Sequence, residues 1–420
     1  MKTPPPLPNP KRTVAELQDL RALTGDADGA QRVAWTDTWL QARAWLRQKL
    51  DELPVETHTD EAGNLWSTLE GASGKALLLG GHLDSVPNGG WLDGCLNTLA
   101  GLEVMRRVAA EYNGRPPVTV RLVDWADEEG ARFGRSLLGS SACAGTMNPG
   151  EERGRTDKEG VRLEDALLRC GVDIERMHES GKELKNAAAY LELHIEQGPV
   201  LESLDLPLGV VLGTFGVERH GIKFTGQAAH SGSTPMDKRR DAFLAAAKMS
   251  PEIYTIAGRN GGVCTIGSCT TKPGIVTSVV AECEITLDQR HLEAASLAQM
   301  LQEATDASER FAAEGGVEVG WSRLWRIEPI LFDDDLIAMC DEAIKETCAA
   351  SHRLPSGPLH DAAEVARAGI PTVMMFVQSL YGISHNKIED TRVAHLEMSV
   401  TALDKLATKA MAWIAGKTEP

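Results

Sequence analysis

Residues 80–94 read "GGHLDSVPNGGWLDG", and the reading of this stretch decides the fold. It follows Leu77, Leu78 and Leu79, a short apolar run ending in glycines, which is the signature of a buried strand. His82, Asp84 and Asp93 come immediately afterwards, and ionisable groups at a strand end are costly to bury unless they have partners or a task. Parallel α/β sheets supply such a task, because their ligands bind beyond the carboxyl ends of the strands.

Working outward, the same grammar recurs. "PPVTVRLVDWADEEG" (116–130) and "AAAYLELHIEQG" (187–198) are compact apolar runs ending in charged clusters. "PTVMMFVQ" (371–378) is a buried strand followed by "GISHNKIED" (382–390). Segments with helical spacing separate them, including 96–112 and 163–172, and two helices open the chain at 13–23 and 37–50, the latter with Asp37 as N-cap. Strands alternating with helices predict a mixed, largely parallel sheet with flanking helices. In "LELHIEQG" the apolar Leu191, Leu193 and Ile195 alternate with Glu192, His194 and Glu196, a pattern that a half-exposed strand also explains.

From about residue 213 the order becomes β-α-β-β-α-β, that of an inserted α+β ferredoxin-like unit over 213–330. The flanking segments 13–212 and 331–420 then form the catalytic domain, and 1–12 is a loose Pro-rich arm. Two domains suit 420 residues. The formal charge of −17 repels phosphate backbones, which disfavours nucleic acid as a partner, and no apolar run is long enough to span a bilayer. The eight scattered cysteines form no C-x-x-C pair and the first residues lack a signal-peptide core, so a cytoplasmic location is expected.

The strand-end residues have a chemistry in common. Two cations held without sulfur need several imidazoles and carboxylates, one of them shared. His82, Asp93, Glu129, His194 and His385 supply that set, with Asp93 as the bridge. Asp84 sits two residues after His82, where it can orient the imidazole. Of the adjacent acids in "DEEG", Glu129 is assigned as ligand and Glu128 as proton shuttle. Read singly, each has a plainer explanation as a loop histidine, an acidic turn or a strand face. The G-x-S-x-G elbow and the phosphate-cradling Gly-Lys-Ser/Thr loop are both missing, which disfavours serine catalysis and nucleotide binding.

Together these segments, with "GQAAHSGSTPMDKRRDA" (226–242) and "LDQRH" (287–291), resemble the amidase/hydantoinase-carbamoylase group of dinuclear-metal amidohydrolases, which includes N-carbamoyl-L-amino-acid hydrolases, β-ureidopropionases and allantoate amidohydrolases. The resemblance implies a di-metal exopeptidase-like catalytic domain, a lid domain that also makes a homodimer, and two divalent ions among Zn, Mn, Co and Ni. It implies His82, Asp93, Glu129, His194 and His385 as ligands and Glu128 as general base. It further implies Gln197 beside the metals, His230 steadying the oxyanion from the partner's lid, and Arg290 on the substrate carboxylate, with Thr277, Gly357 and Leu359 at substrate-contacting positions. Thr277 stands where the group commonly has Asn, Leu359 where Gly is usual, and Gln378, Leu380 and Tyr381 where Pro and small residues are usual. A hydroxyl cannot replace the paired donor and acceptor of an amide, so the substrate-reading shell departs from the pattern while the ligand set does not. The expected activity is hydrolysis of a linear C–N bond in an N-carbamoyl or related amino acid. An aminoacylase or dipeptidase-like activity, or a binding protein on the same fold, are the alternatives.

Overall fold

The computed structural model describes residues 6–417, which form two compact units, one within Met1–Leu212 and Phe332–Pro420, the other Gly213–Leu331. At the centre of the first, the strands Thr372–Val377, Ala187–Ile195, Ser73–His82 and Val118–Trp125 lie side by side in that order, all parallel. Antiparallel strands flank them: Leu208–Thr214 on one side, Leu65–Leu69 and then Glu56–Thr59 on the other. Helices cover both faces of a parallel sheet, which is why its central strands are buried along most of their length. Thus Ala187–Ile195, which alternates in sequence, is buried on both faces from Ala189 onward, and Glu192 and His194 are inside rather than exposed.

The helix Cys95–Glu111, which begins directly behind the Asp93 loop, is buried along its whole length to Ala109. Its charged residues are paired: Arg106 with Glu16 (2.8 and 2.9 Å), Arg107 with Asp404 (2.7 Å) and Glu103 with Arg12 (2.8 Å). This last pair shortens the arm expected over 1–12. Asn9 donates its backbone N–H to Glu103 (2.7 Å) and caps a helix running Pro10–Thr24, while residues 1–5 lie outside the described residues. The next helix, Asp37–Leu50, is capped by Thr36 rather than the expected Asp37. Asp37 sits in the first turn, where the helix dipole favours it. Leu208–Thr214 and His352–Ser356, which pair with each other, are strands that the sequence pattern does not announce.

The second unit has the order expected for it. Its four strands are arranged as Val263–Lys272, Glu282–His291, Gly216–Thr225, Glu318–Ile327, every pair antiparallel. The helices Ala242–Asn260 and Ala294–Gly315 share a core with it that includes Ile222, Phe224, Met249, Ile285 and Met300. The first of these helices passes through Pro251 because buried Ile253 and Ile256 hold its apolar stripe in place. Where this unit begins and ends, Gly213 and Thr214 pair antiparallel with Leu331 and Ile330. Among the described residues no helix is long and apolar enough to cross a membrane.

Candidate active site

The four parallel strands all point their carboxyl ends the same way, and each carries or precedes candidate ligands. The register sets His82 opposite Trp125, just before Asp127–Glu129, and His194 opposite Phe376, the strand before His385. Asp84 joins two of these ends. Its carboxylate accepts the backbone N–H groups of Glu128 (3.2 Å) and Glu129 (3.1 Å). Nδ1 of His82 lies 3.1 Å from the Asp84 carbonyl and 3.5 Å from its carboxylate, so the ring is oriented mainly by the backbone of that residue. Gly94 leaves room for this ring: it has φ +66°, and a Cβ there would lie 2.3 Å from the imidazole.

Asp93 is the meeting point. His82, Asp93 and His194 form one group of potential metal-ligating atoms within 4.8 Å of one another, and Asp93, Glu129 and His385 form a second. One carboxylate oxygen of Asp93 lies 3.0 Å from Nε2 of His194 and 3.7 Å from Nε2 of His82. The other lies 3.4 Å from Nε2 of His385, which is itself 3.3 Å from Glu129. Nδ1 of His194 is engaged by the Ile195 carbonyl at 2.8 Å, leaving Nε2 for the centre.

These residues fit divalent ions. Nε2 of His82 and one Glu129 oxygen are buried without a hydrogen-bond partner, and the donors are the imidazoles and carboxylates that such ions take. Glu128 is buried with a carboxylate oxygen 3.7 Å from His82. Burial pushes its carboxyl well above the ordinary range, against the pull of the His82 charge. Burial acts on Asp93 in the same direction, but the hydrogen bond and charge of His194, with His82 and His385, hold it well below that range. Asp127, Gln197 and His385 all adopt left-handed backbone (φ +58°, +57° and +54°), strain of the kind that collects at functional sites.

Gln197 joins this cluster, its amide donating to Asp93 (2.9 Å). Three other expected substrate contacts lie in the second unit. His230 is exposed, pairs with Ser278 in an isolated bridge and accepts from the Gly232 N–H, and the Thr277 carbonyl accepts from Ser231 (2.9 Å). Arg290 is half-buried and held by Asp288 at 2.8 Å. Gly357 and Leu359 belong to the loop that leads into His360. His360 itself went unread in the sequence. Its buried ring lies 4.3 Å from that of His194, and burial, reinforced by the His194 charge, drives its pKa well below the ordinary value. The neighbouring residues in "SGPLHDA" drew attention there, yet nothing local marks a histidine as a ring-packing partner.

Residues 78–409 match the peptidase family M20/M25/M40. The chain is 36% identical over 366 residues to an N-carbamoyl-L-amino acid amidohydrolase of Geobacillus stearothermophilus, covering 86% of this chain and 88% of the relative. It is 32% identical over 391 residues to an allantoate amidohydrolase of Escherichia coli (92% and 94% covered). A crystal structure of an amidase of the hydantoinase/carbamoylase family from Burkholderia multivorans superposes with a TM-score of 0.86 at 30% identity, covering 98% and 99% of the two chains. The chain belongs to the peptidase family M20/M25/M40 and is an amidohydrolase.

Proposed function

We propose that this amidohydrolase cleaves the linear ureido or amide C–N bond of an N-carbamoyl or similarly N-substituted amino acid, with Glu128 handling the proton. The observation that carries the reading is the position of Asp93, shared between two potential ligand groups with buried Glu128 alongside. The names of the relatives support the substrate class. His82, Asp93 and His194 would hold one divalent ion, and Asp93, Glu129 and His385 another, of zinc, manganese, cobalt or nickel. When bound, two such ions acidify water and polarise a carbonyl. The remaining work falls to the chain. Glu128 accepts a proton from the attacking water as oxygen bonds to the carbonyl carbon, then delivers it to the nitrogen as the C–N bond breaks. In this reading Gln197 fixes Asp93, His230 donates to the developing oxyanion from the partner's lid, and Arg290 receives the substrate carboxylate, with Thr277, Gly357 and Leu359 as further substrate contacts.

Glu128→Gln keeps the shape and removes the base, so kcat falls by about a thousandfold with metal content unchanged. A near-normal rate would refute the assignment. A second reading, an N-acyl-amino-acid amidohydrolase or dipeptidase, is favoured by Thr277, whose hydroxyl cannot offer what an amide would. Amino-acid release from carbamoyl, acyl and ureido substrates, with ammonia measured in parallel, separates the two.

The reading extends to assembly and location. Val263–Lys272 is an edge strand of the second unit, and its neighbourhood exposes Val263 (52%) and Val276 (98%). Unpaired strand edges template pairing with another chain, here a second copy in a homodimer. All eight cysteines are free, in keeping with a reducing cytoplasm.

A further inference from the structure

Glu389 is buried, at 2% exposure, and its hydrogen bonds come from neutral donors. One carboxylate oxygen accepts the backbone N–H groups of Leu92 and Asp93, each at 3.1 Å and almost three hundred residues away in sequence. The other accepts from the Ser384 hydroxyl at 2.9 Å, and that hydroxyl is also 3.0 Å from the Asp93 oxygen that faces His385. Gln197 completes the ring, its amide nitrogen 2.9 Å from the same Asp93 oxygen and 3.0 Å from Ser384. Gly90 is required by this arrangement, since a Cβ there would come within 2.0 Å of the Glu389 carboxylate.

One side chain therefore grips two of the three segments that deliver the Asp93–Glu129–His385 group: the loop before the Cys95 helix and the loop after the last strand, Glu129 coming from the loop after Val118–Trp125. We propose that Glu389 is the positioning residue that sets Asp93 against His385 and thereby governs how tightly this second group holds its divalent ion. It touches neither substrate nor ion. The inference rests on the two-ion reading above. It concerns hydrogen-bond geometry rather than charge: a carboxamide keeps the two backbone contacts and, with the Ser384 hydroxyl turned round to accept, keeps a bond to that residue as well. In the Glu389→Gln variant the amide oxygen would take both N–H groups and the NH2 would donate to Ser384.

Chelator-stripped protein titrated calorimetrically with Zn2+ alone tests this. The wild type takes up two ions; if it takes up only one, the two-ion reading fails, and the clamp with it. In Glu389→Ala one binding event weakens at least about tenfold, the usual range for residues that orient ligands, while the other stays within about threefold. Glu389→Gln restores both to within about threefold. The absorption spectrum of Co2+-loaded protein reads the same distinction, one ion's bands changing in the alanine variant and returning in the glutamine variant. The proposal is overturned if Glu389→Ala keeps both affinities, if it weakens both equally, or if Glu389→Gln is no better than alanine. Should Glu389→Ala fail to fold, Ser384→Ala carries the comparison: it cuts the link to Asp93 and leaves the two backbone contacts, so the same single event weakens, and unchanged binding overturns the clamp.

Discussion

The two units solve the same packing problem with different sheets. In the first, parallel strands buried on both faces present all their carboxyl ends on one side, so residues 82, 128, 194 and 385 converge without any loop having to travel far. In the second, antiparallel strands alternate direction and leave an open edge, Val263–Lys272, with most of its side chains exposed. Parallel pairing concentrates chemistry, because strand ends are also where backbone groups run out of partners. Antiparallel pairing spreads its ends over both margins and suits a surface that meets something else.

The sharpest way to break this contrast is at the convergence point. Asp93→Ala removes the carboxylate common to both potential ligand groups, and we expect turnover to fall by at least about a thousandfold with loss of both proposed ions, measured by elemental analysis beside a rate assay. Retention of one full equivalent would mean that the groups are independent. Next in size is Leu79→Ala in the middle of the parallel sheet. Leu79 is fully buried, so denaturant unfolding should show a loss of about 2–5 kcal/mol. A loss below about 1 kcal/mol would show that the sheet core relaxes around the cavity. The smallest effect belongs to the open edge. Thr270→Lys on the exposed strand should shift stability by no more than about 0.5 kcal/mol, yet weaken self-association in sedimentation velocity. Unchanged association would show that the proposed homodimer does not form through this edge.

What the sequence disclosed follows the same division. Strands that end in charged clusters were readable because burial on both faces leaves an uninterrupted apolar run, as in Leu77–Leu79 and Val373–Val377. The ferredoxin-like order was readable from alternation and helix period. Leu208–Thr214 was not, because Gly209 and Gly213 dilute its apolar content, and Pro355 disguises His352–Ser356 as a loop. The helix Asp37–Leu50 takes its cap from Thr36 because that hydroxyl reaches the Trp39 N–H, a choice between neighbours that composition alone leaves open. Within the site, the histidines and carboxylates that the fold gathers around Asp93 were legible, whereas His360 and Glu389 were not. Their significance is a matter of contacts across the chain, a ring against His194 and a carboxylate against Leu92, and no local pattern encodes such partners.

One further consequence follows from the paired residues at the ends of the second unit. Gly213 and Leu331 face each other as strand neighbours, so their Cα atoms are held about 5 Å apart. As far as the register of the parallel sheet is concerned, everything from Gly213 to Leu331 amounts to one very long hairpin turn. Any module whose termini meet at that spacing could be joined there without changing the pairing of Leu208–Thr214 with Thr372–Val377, although the contributions proposed for His230, Thr277 and Arg290 would go with the unit removed.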